Sequence, residues 1–281
     1  MSSAGVVKST KKGFTLIELL VVISIIALLL SILMPSLQKV KDQARTMVCQ
    51  SNLKQLSLGF MMYLQGNKNK GPESPGGYYA DNYIPWSEQI LSYMGDAQYA
   101  LNPEKYTQKV MFCPSTLPPI SQGYCGGLPK NRWRYDIQSA AMKGRQVEGS
   151  YAMNAWVGGG KSDTYGFTAE ELSAKSFRTN ISGSADVPVF GDATFFYSYP
   201  RDTDKAPRRN ISSSSVIGDF FNTSSGSLNT MLMYYINRHS MKVNSSFADG
   251  HVGSVPLTEL WNQKWHKGFK KIANVPIPDK K

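Results

Sequence analysis

The sequence predicts an α+β protein: a long N-terminal helix, transmembrane and then amphipathic, packed on an antiparallel β-sheet head with large loops. Three observations predict it. Residues Phe14 to Met34 form an apolar run whose only charge is Glu18. Beyond Pro35 the apolar residues fall into a stripe at three- and four-residue steps. From Gly66 onward the chain is rich in Gly, Pro, Ser, Tyr and Asn, and short β-prone segments alternate with turn residues. The 281 residues are 41% hydrophobic and 18% charged, which excludes a disordered chain. Three cysteines are too few for a disulfide-framework miniprotein.

Residues 1–13 form a basic leader with Lys8, Lys11 and Lys12 and no acid. Residues 14–34 follow as the membrane-spanning half of the helix. At about 1.5 Å per residue the run covers roughly 31 Å, close to the hydrocarbon thickness of a bilayer. A cleaved secretory signal would be shorter, and Met34-Pro35-Ser36 makes a poor peptidase site. A plain signal anchor fits the length, with its basic leader on the cytoplasmic side. It leaves Glu18 unexplained, because a carboxylate at mid-bilayer costs about 2.5–3.5 kcal/mol and calls for a partner.

Residues 35–65 are the amphipathic half. Leu37, Val40, Ala44, Met47, Val48, Leu53, Leu56, Phe60 and Tyr63 mark one face. Lys39, Lys41, Asp42, Arg45, Gln50, Asn52, Lys54 and Gln55 fill the others. Gly66 and the following Asn, Lys, Gly and Pro residues end the helix near Leu64. The head, residues 66–281, offers strands at Gly149 to Met153, Val187 to Phe190, Met231 to Ile236, Val243 to Phe247 and His251 to Pro256. The last two flank Asp249-Gly250, which suits a two-residue hairpin turn. Thr258 to Lys271 suits a final helix, with Trp261, Trp265 and Phe269 on one face.

Lys12-Gly13-Phe14-Thr15-Leu16-Ile17-Glu18-Leu19-Leu20 resembles the signature of the type IV prepilin and type II secretion pseudopilin superfamily. The resemblance implies a pilin-like fold and cleavage between Gly13 and Phe14 by a prepilin peptidase. It also implies N-methylation of Phe14 and a role for Glu18 in methylation and assembly. Pilin and pseudopilin subunits, an assembly platform and membrane lipid are the implied partners. The implied place is the inner membrane, single-pass, with a cytoplasmic N-terminus and a periplasmic or extracellular head, in a fibre when assembled. Ala44-Arg45-Thr46-Met47-Val48-Cys49-Gln50-Ser51-Asn52-Leu53-Lys54-Gln55-Leu56 resembles a second signature, from prepilin-type proteins carrying an H-X9-DG motif. That motif is present: nine residues separate His239 from Asp249, and Gly250 follows. Phe112-Cys113-Pro114-Ser115 and Gly149 to Asn154 resemble further segments of that family.

The resemblance implies a structural subunit and no enzyme. Two other functions compete with it. One is a minor pilin or surface receptor whose Tyr-rich head binds glycans or another polyanion. The other is a membrane-tethered, metal-dependent hydrolase using His239, Asp249 and His251, because two histidines and a carboxylate can bind zinc or iron. The plainer reading of these residues is a turn at Asp249-Gly250 ordered by a hydrogen bond from His239. No cofactor is expected. Calcium has candidate ligands in Asp202 and Asp204, without EF-hand spacing. Nucleophile elbows, HExxH and phosphate-loop spacings are absent. Cys113 and Cys125 are candidates for a disulfide in a Pro- and Gly-rich stretch, and Cys49 reads as a packed core residue. The net charge is +11, and +8 without the leader's three lysines. The basic residues are dispersed apart from Arg208-Arg209 and Lys264 to Lys271, so they read as a solvated surface, and no nucleic acid is expected as a partner.

Overall fold

The structure is a computed structural model that describes residues 13–72, 84–94, 109–119, 129–136, 146–158, 167–177, 181, 184–206 and 229–276. The chain divides into two units, Met1–Ala44 and Arg45–Lys281. Helix α1, Leu16–Gly66, belongs to both and runs through Pro35.

From Leu16 to Met34 α1 is apolar on every side, and these side chains are exposed. The start of the helix is closed by a capping box. The Thr15 N–H and hydroxyl both donate to Glu18 Oε2 at 2.8 Å, and Glu18 N–H donates back to Thr15 Oγ1 at 3.2 Å. Ser24, Ser31 and Ser36 donate their hydroxyls to the carbonyls of Leu20, Leu28 and Leu33. The polar groups of this half are therefore satisfied within the helix, as a spanning segment requires. Among the described residues α1 is the one helix long and apolar enough to cross a membrane.

In the second unit α1 lies on the head. Cys49, Asn52, Leu53, Leu56, Ser57, Gly59 and Phe60 are buried, a stripe of three- and four-residue steps. The expected stripe is shifted: Met47 and Val48 are exposed, while Asn52, assigned to a polar face, is buried and donates to Phe112 O. Gly59 is where α2, Trp86–Leu91, and the 3-10 turn after it come closest, since a Cβ there would meet Met94 Cγ at 2.6 Å.

The main sheet has five strands in the order β5-β3-β4-β6-β7: β3 Tyr151–Asn154, β4 Pro188–Asp192, β5 Tyr197–Ser198, β6 Lys242–Phe247 and β7 Val252–Pro256. All pairings are antiparallel except the short β3–β5 edge. A bulge interrupts β4 against β6 after Pro188, which has no N–H to give the ladder. A separate hairpin pairs β1, Trp133–Asp136, with β2, Gln146–Gly149. Helix α3, Ala169–Lys175, opens with a capping box between Thr168 and Glu171.

Three sequence expectations change here. Met231 to Ile236 is not a strand but a 3-10 turn, Thr230–Met233, continued by further turn hydrogen bonds to Ile236. The final helix shortens to a 3-10 stretch, Leu257–Asn262. The expected strand at Gly149 to Met153 splits at Ser150 between β2 and β3.

The core is aromatic. All five tryptophans are buried, and each indole N–H donates to a backbone carbonyl: Phe196, Tyr151, Pro200, Asp204 and Leu260 for Trp86, Trp133, Trp156, Trp261 and Trp265. Tyr151, Tyr197, Tyr199, Tyr234 and Tyr235 are buried with them. The sugar-binding surface considered from sequence therefore cannot draw on these residues.

Candidate functional site

Chemistry-bearing residues gather at two places, the start of α1 and a buried polar cluster in the head. Gly13 and Phe14 precede the first turn of α1 and are exposed, so the bond between them is in accessible, non-helical chain. Glu18, one turn into the helix, holds the cap formed with Thr15. The Thr-x-x-Glu spacing that signals this cap is in the sequence, where Glu18 reads instead as a carboxylate lacking a partner.

The cluster joins four segments distant in sequence. Cys49 comes from α1 and Cys113 from the chain after the 3-10 turn Lys109–Met111. Asp192 ends the central strand β4, and His239 belongs to the loop entering β6. All four are buried, and one ligand atom from each lies within 4.8 Å of the others. Among the described residues this is the group of His, Cys, Asp or Glu side chains close enough to share one ion. His239 Nε2 is 3.3 Å from Cys113 Sγ and 3.3 Å from Asp192 Oδ2. Cys49 Sγ is 3.6 Å from both Asp192 oxygens.

A shell of further contacts orients these groups. His239 Nδ1 meets Thr46 Oγ1 at 3.1 Å, and the Tyr151 hydroxyl donates to Cys49 Sγ at 3.4 Å. Asn244 N–H donates to Asp192 Oδ2. Arg238 Nη1 is 3.7 Å from Asp192 Oδ1, and its guanidinium also donates to the carbonyls of Pro129, Asn131, Ser150 and Ala193. The loop presenting Arg238 and His239 is held by Met241 N–H donating to Asn237 Oδ1. It turns through two non-glycine residues with positive φ, Ser240 at 53° and Met241 at 63°. Such backbone costs about 1 kcal/mol or more per residue and persists where surrounding contacts enforce it.

The electrostatics follow from burial and pairing. Burial pushes the Cys49 thiol well up, whereas the hydrogen bond from Cys49 draws Cys113 down to about 6 against its own burial. Burial opposes charge on Asp192 and His239 alike, but their mutual hydrogen bond outweighs it. Asp192 is held below the usual carboxylate range, and His239 is raised to about 10.

The arrangement is not a nucleophilic triad. Cys113 and Asp192 both address the same nitrogen, Nε2, while Nδ1 faces Thr46, so the imidazole cannot pass a proton from a thiol to a carboxylate on its opposite side.

The H-X9-DG residues take two different places. Asp249 and His251 stay in the β6–β7 turn, where Asp249 Oδ1 meets His251 Nδ1 at 2.6 Å and the His251 ring stacks on Phe247. His239 is at the opposite end of β6. His239, Asp249 and His251, the candidate metal ligands, are therefore not brought together, and His239 does not hydrogen-bond to the turn. The turn itself has three residues, not two: Gly250 N–H donates to Phe247 O, Phe247 N–H to His251 O, and Gly250 has φ of 86°. This is a type I turn closed by a left-handed glycine.

Both ends of β6 meet α1. At one end His239 faces Thr46. At the other the Gly250 carbonyl accepts from Lys54 Nζ at 2.7 Å, and a Cβ on Gly250 would lie 2.4 Å from Met61 Cε. The residues on either side of β6 thus both reach the same helix.

The remaining candidates fall elsewhere. Asp204 Oδ2 already accepts from the N–H groups of Arg201 and Met231, and Asp202 faces His266, so the two do not converge as calcium ligands. Cys113 carries a free thiol in the cluster, and its expected disulfide partner, Cys125, lies outside the described residues, as do Arg208 and Arg209.

Residues 8–34 match the prokaryotic N-terminal methylation motif, and residues 38–108 match a protein family of unknown function, DUF1559. Neither a curated protein nor a solved structure matches the chain. One apolar N-terminal helix with this motif fits a membrane-anchored, single-pass protein. The chain carries a prepilin methylation motif followed by a region similar to DUF1559, a combination consistent with a pseudopilin-like protein.

Proposed function

We propose that the chain is a structural subunit and not an enzyme. A prepilin peptidase cuts it between Gly13 and Phe14 and methylates Phe14, and an assembly platform adds it to a type II secretion or type IV pilus-like fibre. The observation that carries this reading is the coincidence of the methylation motif with an exposed, all-round apolar helix half. Such a surface is stable in lipid, or against copies of itself once it leaves the membrane. Identical head-to-tail contacts that do not close produce a filament. In this reading the N-terminus is cytoplasmic and the head periplasmic or extracellular.

The experiment is the mass of the N-terminal peptide from native membranes, with and without an active prepilin peptidase. A peptide beginning at N-methylated Phe14, present only with the peptidase, is the expected result. An intact Met1 to Gly13 leader in both samples would reduce the chain to a plain anchored domain.

A further inference from the structure

We propose that Cys49, Cys113, Asp192 and His239 form a structural site for a divalent cation of the zinc class, which clasps α1 to the central strand of the head. The inference is independent of the fibre reading, because it concerns only residues of the head and the helix half packed on it.

Four arguments carry it. The first is the donor set: two thiols, an imidazole and a carboxylate are the ligands zinc takes in closed structural sites. The second is distance. Zinc bonds of about 2.0–2.3 Å at tetrahedral angles put neighbouring ligand atoms roughly 3.3–3.8 Å apart. Three of the six separations in the cluster are 3.3, 3.3 and 3.6 Å, and all six lie within 4.8 Å. Side chains from four segments thus already converge to nearly the spacing such a tetrahedron needs. The third is the histidine. Nδ1 is engaged by Thr46 Oγ1, so Nε2 is the nitrogen that points to the cluster centre, where it shares a proton with Asp192 and Cys113. A cation at that centre takes the place of the proton. The orienting bond on the other ring nitrogen is the usual outer-shell device of metal-bound histidine. The fourth is charge. Two thiolates, one carboxylate, a divalent cation and the adjacent Arg238 guanidinium sum to zero, which a site this buried requires.

Binding needs no oxidant. Cys49 and His239 each release a proton to water as the metal–sulfur and metal–nitrogen bonds form, while the Cys113 thiolate and the Asp192 carboxylate contribute lone pairs. All four positions come from the protein and all four residues are buried, so the site is closed and structural, not catalytic.

The full-length chain, purified in detergent without chelators, is expected to hold about one zinc per chain by elemental analysis. Replacing zinc by cobalt(II) is expected to give the visible bands of a tetrahedral ion with thiolate-to-cobalt charge transfer. Cys49→Ser and Cys113→Ser should each abolish the charge-transfer pattern of a two-thiolate site. Thr46→Val, which removes the hydroxyl that orients His239, should weaken zinc binding roughly 10-fold. Asp249→Asn, in the exposed turn, should retain full occupancy. Loss of a ligand can unfold a buried site, so the cobalt spectrum of the unmodified chain decides by itself. An octahedral spectrum, or none, overturns the proposal. So does full zinc retention in the Cys49→Ser/Cys113→Ser double variant, or a Cys49–Cys113 disulfide as the native form in non-reducing mass spectrometry.

Discussion

Glu18 shows how one carboxylate can hold two roles. Its side chain accepts two hydrogen bonds from Thr15, so part of the cost of placing it in an apolar segment is met within its own first turn. In the fibre reading it also has a charge role, toward the amine that cleavage would create on Phe14 of a neighbouring subunit. The two roles separate by substitution. Glu18→Gln keeps a side-chain oxygen for the cap and removes the charge. Glu18→Ala removes both and costs the helix start about 1 kcal/mol. The fibre reading expects both variants to be cut yet to lose incorporation into sheared fibres, measured by immunoblot against the intact chain. Incorporation of Glu18→Gln at the level of the unmodified protein would leave Glu18 as a cap alone. The Gly13, Phe14 and Glu18 spacing is local, which is why it could be read directly from the sequence. The Cys49, Cys113, Asp192 and His239 cluster could not, because its members are 49 to 239 residues along the chain and only the sheet order brings them together.

Among the elements, α1 carries both the clearest sequence signal and the clearest misreading. Its extent was visible from hydropathy and the Gly66 stop, and it ends within two residues of the expected position. Its buried face was not, because polar residues join it. Asn52 donates to Phe112 O, and Gln50 bridges Asn244 and Ser254. A pattern that sorts residues only as apolar or polar puts both on the wrong side. The strands show the same limit. β6 and β7 were read from alternation and a turn signal, whereas Met231 to Ile236 is apolar enough for a strand but turns through a 3-10 segment into the core. The two faces of α1 make a prediction. Leu53 is fully buried against the head, and Leu53→Ala should cost about 2–5 kcal/mol in thermal or denaturant unfolding. Met47, two turns earlier and exposed, should lose no more than about 0.5 kcal/mol on Met47→Ala. In the fibre reading the order reverses for assembly, with Met47→Ala lowering fibre yield while leaving the head intact. Equal unfolding midpoints for the two variants would show that α1 is not seated as described.

At the scale of the whole head, stability rests on an aromatic interior whose indole N–H groups are bonded to the backbone, and Asp204 tests how strictly that interior excludes charge. Asp204 is buried beneath the Trp261 indole, which donates to the Asp204 carbonyl, while the Asp204 side chain accepts from the N–H groups of Arg201 and Met231. Burial raises this carboxyl from its ordinary 3.8 to about 6, and the two N–H groups, with the Thr230 hydroxyl and Arg201, offset only part of that. The sign follows from proton counting. Between about pH 4 and 6 the folded chain holds a proton on Asp204 that the unfolded chain has released, so stability falls as pH rises through this window. Below it both states are protonated and the full contribution is present; above it both are ionised and the slope vanishes. A displacement of this size corresponds to roughly 3 kcal/mol across the window. Asp204→Asn keeps an oxygen for the Arg201 and Met231 N–H groups but cannot ionise. Denaturant unfolding of both proteins from pH 3.5 to 7.5, followed by the fluorescence of the buried tryptophans, isolates the effect, because every other titrating group cancels in the difference. The Asn variant should gain on the unmodified protein as pH rises and hold a constant advantage above about pH 6.5. A pH-independent difference would mean that water reaches the carboxylate and that the core is open at the Trp261 corner.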